Sequence, residues 1–181
     1  MIAAAGGHST QKERHLELAD AIQRFRGPLI GLIISWGTPH ADAAEIAQDS
    51  FSEAWLNRDN CRGAVSDPKV FGAWLRGIAK NTHRNWARSR NPRERRVKLV
   101  DSAILDVALN PQEESDHDEL TRLRSAIDRL PAKQKEVVLM HYLEETSVIE
   151  VAALLSVTPK AIEGRLYQAR RALKKMVHLG I

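Results

Sequence analysis

Cysteine is almost absent: Cys61 is the only one in 181 residues, so no disulfide can close within the chain and no cysteine-built zinc site can form. Aromatic residues make up only 5%, and the segments between turn signals are dominated by Ala, Leu, Glu, Arg and Lys, which favour helix over strand. No apolar run approaches the ~20 residues of a membrane span, the longest being Leu29 to Trp36. Met1 to Gly7 is small and apolar but lacks a basic flank, so neither secretion nor membrane insertion is expected. The histidines at 8, 15, 40, 83, 117, 141 and 178 are scattered and form no close ligand pair, which argues against a metal hydrolase or nuclease. No catalytic residue, metal or cofactor is expected, and Cys61 receives no role.

Charge is present but segregated. The net charge is +4, yet Arg84 to Lys98 holds seven basic residues against Glu94 alone, whereas Leu99 to Glu119 holds seven acids and no Lys or Arg. Hydrophobic residues at 43% and charged residues at 28% are those of a globular chain. The fold class expected is all-α: two small helical domains joined by a linker, the C-terminal one a helix-turn-helix. The domains are placed at 11–96 and 120–178, with an acidic linker over 97–119.

Punctuation and periodicity place the helices. Gln11 to Arg26 is followed by a break at Gly27-Pro28, then Leu29 to Trp36. From Asp42 to Leu56, Ile46, Ala47, Ser50, Phe51, Ala54 and Trp55 share one face, while Glu45, Gln48, Asp49 and Ser52 share the other. Pro68 to Arg88 carries a buried stripe of Phe71, Trp74, Leu75, Ile78, Ala79 and Thr82, with Arg76, Lys80, Arg84 and Arg88 as a basic ridge. Asn81, Asn85, Trp74 and Trp86 lie beside that ridge, and cations, amides and flat rings together suit opened DNA. A basic stripe that merely stays wet explains the same pattern.

In the C-terminal part, Leu120 to Arg129 and Lys133 to Leu143 are separated by Leu130-Pro131. Ser147-Val148-Ile149-Glu150 is an S-x-x-E capping box that starts a helix ending near Leu155, and Thr158-Pro159 starts another. Two helices flanking a tight turn are the helix-turn-helix geometry, in which the second helix enters the major groove. On that helix Ile162, Leu166, Ala169 and Leu173 form the buried stripe, and Lys160, Gly164, Tyr167, Gln168, Arg171 and Lys175 point outward. Gln168 and Arg171 can pair with base edges, Gly164 permits close approach, and Lys174 or Lys175 can neutralise phosphate. A helical hairpin with a solvated basic face is the plainer alternative.

These residues resemble a bacterial RNA polymerase sigma factor of the extracytoplasmic-function type. Glu45 to Trp55 resembles the family's region 2.2, and Phe71 to Asn81 its Trp-Leu-x-x-Ile-Ala-x-Asn signature of regions 2.3 and 2.4. Leu130-Pro131, Glu150-Val151-Ala152 and Arg165 to Arg170 resemble region 4. The resemblance implies that Glu45, Gln48, Asp49 and Glu53 dock on the clamp helices of core RNA polymerase, with a further contact at its flap. It implies a base flipped into the loop Asn57 to Lys69, and contacts near the −10 element from Lys80, Asn81, Arg84, Asn85 and Arg88, with Arg76 on the same ridge. Glu163, Gly164, Tyr167 and Gln168 match the −35 readers, and Lys160, Arg165 and Arg171 join them.

Glu163 and Gln168 replace the family's usual Lys or Arg and Gly164 its Ser, so the family's promoter preference is not carried over; Ser156 replaces its turn Gly, at a modest backbone cost. The resemblance also implies promoter DNA and an anti-sigma factor as partners, and a cytoplasmic, nucleoid-associated protein without the extra regions of primary sigma factors. The competing readings are a stand-alone helix-turn-helix regulator that needs no polymerase and, more remotely, a nucleic-acid enzyme.

Overall fold

A computed structural model describes residues 11–62, 67–89 and 114–178, and among them there are helices and turns but no strand. Helix α1 is Gln11–Ser35, α2 His40–Leu56 and α3 Pro68–Ser89. The C-terminal part contains α4 Glu114–Asp128, α5 Ala132–Val138, a π turn Leu139–Leu143, α6 Val148–Leu155 and α7 Pro159–His178.

The expected break at Gly27-Pro28 does not occur, since α1 runs continuously with Pro28 inside it. An interior proline costs about 3 kcal/mol through a lost hydrogen bond and a ring clash. Here Phe25, Leu29, Leu32, Ile33 and Ile34 are all buried, and at about 1.5–3 kcal/mol each their burial outweighs that cost. The second half of α1, Pro28 to Ile34, is buried on every side, as a helix in a core is, and α2, α3 and the C-terminal part all pack on α1.

Helices α2 and α3 follow the predicted stripes. Ala43, Ile46, Ala47, Ser50, Phe51 and Ala54 are buried on α2, and Phe71, Gly72, Leu75, Ile78 and Ala79 on α3. Asp67 Oδ1 accepts from the Lys69 N–H at 2.9 Å, capping the start of α3, where Pro68 lacks only a donor that no helical partner would use. The Phe25 and Phe71 rings meet at 5.8 Å and tie α1 to α3.

Helix α4 begins six residues earlier than Leu120, inside the stretch expected to be linker. The rest of that linker, 97–113, lies outside the described residues. The single helix expected over 133–143 is instead α5 running into a π turn, with the Glu144 N–H reaching back to the Leu139 carbonyl at 3.4 Å. Thr146 Oγ1 donates to the Met140 carbonyl, and His141 Nδ1 donates to the Thr146 carbonyl at 2.6 Å, which holds the widened turn.

The capping box forms as expected: Ser147 Oγ accepts from the Glu150 N–H at 3.2 Å and Glu150 Oε2 accepts from the Ser147 N–H at 3.0 Å. Helix α6 ends with Ser156 at φ 56° and ψ 43°, the left-handed region. The Val157 N–H bonds the Ala152 carbonyl at 3.0 Å and the Ser156 N–H the Ala153 carbonyl at 3.2 Å, a Schellman ending normally built on glycine. Thr158 Oγ1 then accepts from the Ala161 N–H at 3.2 Å and starts α7. Buried residues of both parts, from Phe25, Phe71 and Leu75 to Val151, Leu154 and Leu166, form one continuous hydrophobic cluster.

Candidate nucleic-acid and polymerase interfaces

Glu45, Gln48, Asp49 and Glu53 are all exposed on α2, opposite its buried stripe. Glu53 Oε2 accepts from Thr82 Oγ1 at 3.5 Å, which links this face to α3. Beside them α1 and α2 leave a groove of about 660 Å³ lined by Ile22, Ile30, Ala47, Phe51, Trp55 and Leu56, with Glu45 and Gln48 at its rim. Leu56 is 77% exposed there. The sequence reading overlooked this apolar strip, although a leucine outside the stripe that buries Ile46 and Phe51 was a usable signal.

On α3, Lys80, Asn81, Arg84, Asn85 and Arg88 are exposed along one side. Arg84 Nη1 donates to Asn81 Oδ1 at 3.5 Å, so cation and amide are presented together. Arg76 is half-buried and lies in the field of Glu136 on α5. Trp74 and Trp86 are half-buried rather than open: Trp74 meets Phe71 edge-on at 6.0 Å, and Trp86 stacks on His83 at 5.5 Å, which meets Trp36 at 5.0 Å. In the loop after α2, Arg58 lies 5.5 Å from the Trp55 ring centroid and donates to the Trp55 carbonyl at 2.9 Å. Burial pushes the Cys61 thiol up, which favours an unreactive thiol. Residues 63–66 of this loop lie outside the described residues.

On α7, Ile162, Leu166 and Ala169 are buried and Leu173 is half-buried, whereas Lys160, Glu163, Gly164, Tyr167, Gln168 and Arg171 are all exposed. A Cβ added at Gly164 would meet nothing within 4 Å, so the helix backbone is open to a groove there. Arg171 lies 6.0 Å from the ring centroid of Tyr167, which is 59% exposed. Arg165 is the exception: it is half-buried, like Arg76. Burial raises the Glu136 carboxyl above its ordinary range, against the lowering effects of Arg165, Arg76 and Lys133.

Fold and surfaces together define an all-α, helix-turn-helix DNA-binding protein that carries a second basic helix and, apart from it, an exposed face of acids and an amide on α2. Residues 120–173 match the family model described as Sigma-70, region 4. The chain is 30% identical over 152 residues to the RNA polymerase sigma factor CnrH of Cupriavidus metallidurans, covering 79% of this chain and 77% of that one. It is 29% identical over 160 residues to the sigma factor NccH of Alcaligenes xylosoxydans, covering 86% and 84%. It is also 31% identical over 138 residues to the probable sigma factor RfaY of Xanthomonas campestris, covering 74% of this chain but only 34% of that longer protein. Among solved structures, CnrH in complex with the cytosolic domain of CnrY matches with a TM-score of 0.51 and 26% identity, over 90% of this chain and 88% of that one. The chain belongs to the bacterial RNA polymerase sigma factors, of the extracytoplasmic-function type. Its function is promoter recognition with core polymerase, and the relatives give no support to a stand-alone regulator. No helix among the described residues is long and apolar enough to cross a membrane.

Proposed function

We propose that the three exposed faces divide the work of promoter recognition. Glu45, Gln48, Asp49 and Glu53 on α2 dock on the clamp helices of core polymerase, and the apolar groove beside them extends that surface. Lys80, Asn81, Arg84, Asn85 and Arg88 hold the −10 region, with cations on phosphate and amides on unstacked bases. Lys160, Glu163, Gly164, Tyr167, Gln168 and Arg171 face the −35 element, Gln168 and Arg171 reading base edges and Lys160 anchoring phosphate. Arg76 and Arg165, both half-buried, stand at the margins of these sets.

No covalent step is needed, so the protein acts as a binding factor and not as an enzyme: trapping an unstacked base offsets an opening cost of a few kcal/mol. The functional units are 11–96 and 114–178, joined by 97–113, and the site of action is the cytoplasm, on nucleoid DNA. An anti-sigma factor as partner is supported by the related CnrH, which was solved with the cytosolic domain of CnrY. The observation that carries the reading is the simultaneous exposure of the α2, α3 and α7 faces, each opposite a buried stripe. Run-off transcription by core polymerase on fragmented genomic DNA of the source bacterium tests it. Discrete starts that require the protein, and that weaken with Arg84→Ala/Arg88→Ala, are expected. The absence of protein-dependent starts would contradict the assignment.

A further inference from the structure

Helix α7, Pro159–His178, carries six Lys or Arg and a single acid, Glu163. Most other acids of the C-terminal part are held by the fold. Lys135 Nζ donates to Asp128 Oδ1 at 2.6 Å, His40 Nε2 pairs with Glu144 Oε1 at 3.1 Å, and Glu150 closes the capping box. Glu136 is half-buried under the influence of Arg165, Arg76 and Lys133, and Glu145 lies in the turn before α6, off the helix. Glu163 is exposed, and among the described residues it makes no hydrogen bond or ion pair. The helix dipole gives little reason for an acid there, since its effect falls off within the first turn, Pro159 to Ile162.

We propose that Glu163 selects a C·G pair within the −35 element, its carboxylate accepting a hydrogen bond from the cytosine N4 amino group in the major groove. This inference rests on the assignment of α7 to that element. An ionised carboxylate can only accept. Guanine presents the acceptors N7 and O6 in the major groove, and thymine presents O4 and a methyl group, so both oppose it. Adenine offers a donor at N6 with the acceptor N7 beside it, whereas cytosine offers its N4 donor alone. Cytosine is therefore the base edge that fits an unpaired acid.

The position on the helix agrees with this chemistry. In a helix-turn-helix the N-terminal residues of the second helix contact base edges, and Glu163 is the fifth residue of α7. Its neighbour Gly164 has no side chain to hold the backbone off the groove floor, and a Cβ there would meet nothing within 4 Å. Lys160, one turn earlier, and Lys174 and Lys175, toward the far end, are exposed and available to phosphate. An acid turned to phosphate would weaken binding to every sequence; turned to a base edge, it attracts cytosine and repels guanine and thymine. Gln168 lies five residues on, about 7.5 Å along the helix at 1.5 Å per residue. At 3.4 Å per base pair, the cytosine falls about two base pairs from the position that Gln168 reads.

The test uses the full chain with core RNA polymerase. A promoter found by run-off on genomic fragments is randomised across its −35 region, and the templates transcribed with wild type, Glu163→Gln and Glu163→Lys are sequenced. With wild type, one position is expected to favour C·G by about 5- to 150-fold, about two base pairs from the position that Gln168→Ala alters. Glu163→Gln should replace that cytosine by adenine and Glu163→Lys by guanine, with every other position unchanged. Glu163 is exposed, so both variants keep the buried stripe of α7, and circular dichroism checks their helix content. A wild-type selection without that cytosine, or the same preferences in all three proteins, would overturn the assignment. So would a general rise in transcription with Glu163→Lys at unchanged preference, which would place Glu163 against phosphate. The absence of any wild-type start on genomic fragments would instead overturn the promoter reading, and this inference with it.

Discussion

Ser156→Gly should stabilise the protein, and the size of the effect follows from the backbone. Ser156 ends α6 at φ 56° and ψ 43°, a conformation that costs an L-residue about 1–2 kcal/mol. Glycine removes that strain but has more freedom to lose on folding, about 0.5–1 kcal/mol. The net gain is about 0.5–1 kcal/mol, or about 1–4 °C in Tm for a chain of this size. Ser156 is exposed, so little packing is lost, and the Schellman bonds from Ser156 and Val157 use only backbone atoms. Thermal unfolding by circular dichroism, with Ser156→Ala as the control that keeps the strain, measures the difference. A glycine variant no more stable than the alanine variant would refute the reasoning.

Arg88→Ala should weaken DNA binding across sequences and reduce the slope of log affinity against log salt by about 1, as measured by fluorescence anisotropy at several salt concentrations. Gln168→Ala should instead change preference at particular −35 bases by about 1–3 kcal/mol, which sequence selection on randomised sites would detect; a uniform loss would show it to be an anchor. Ser147→Ala removes the acceptor for the Glu150 N–H and should cost about 1 kcal/mol in urea unfolding. Burial raises the carboxyls of both Glu136 and Glu144, the latter against the lowering effects of His40 and Arg26. Both bind a proton more tightly folded than unfolded, so their contribution is full below the ordinary carboxyl range and is lost as pH rises through the raised values. Glu136→Gln/Glu144→Gln should therefore flatten the fall in stability over that window; an unchanged pH profile would exclude these two carboxyls as its source.

Local signals carried most of the fold. The apolar stripes of α2, α3 and α7 were readable because each helix buries one face only, and the capping box and Thr158-Pro159 marked starts by their own chemistry. Local reading failed where tertiary burial overrode it: Gly27-Pro28 looks like a break, but the surrounding core keeps α1 intact. The π turn was not legible, because Thr146 and the close approach of Gly31 to Met140 act from outside the segment. The exposed site residues were found by helical arithmetic, which assigns a face but no neighbour. Arg76 was placed on an outward ridge for that reason and Arg165 came from the resemblance; both are half-buried, and both lower the Glu136 carboxyl, a neighbour that face arithmetic does not reveal.

Co-elution of the protein with bacterial core RNA polymerase on a sizing column tests the central claim most directly, comparing wild type with Gln48→Ala/Asp49→Ala. Both side chains are exposed, so the substitutions leave the buried face of α2 intact. A stoichiometric complex that the double substitution weakens is the predicted result. Failure of the wild-type chain to join the polymerase at micromolar concentration, with DNA still bound by the chain alone, would contradict the account.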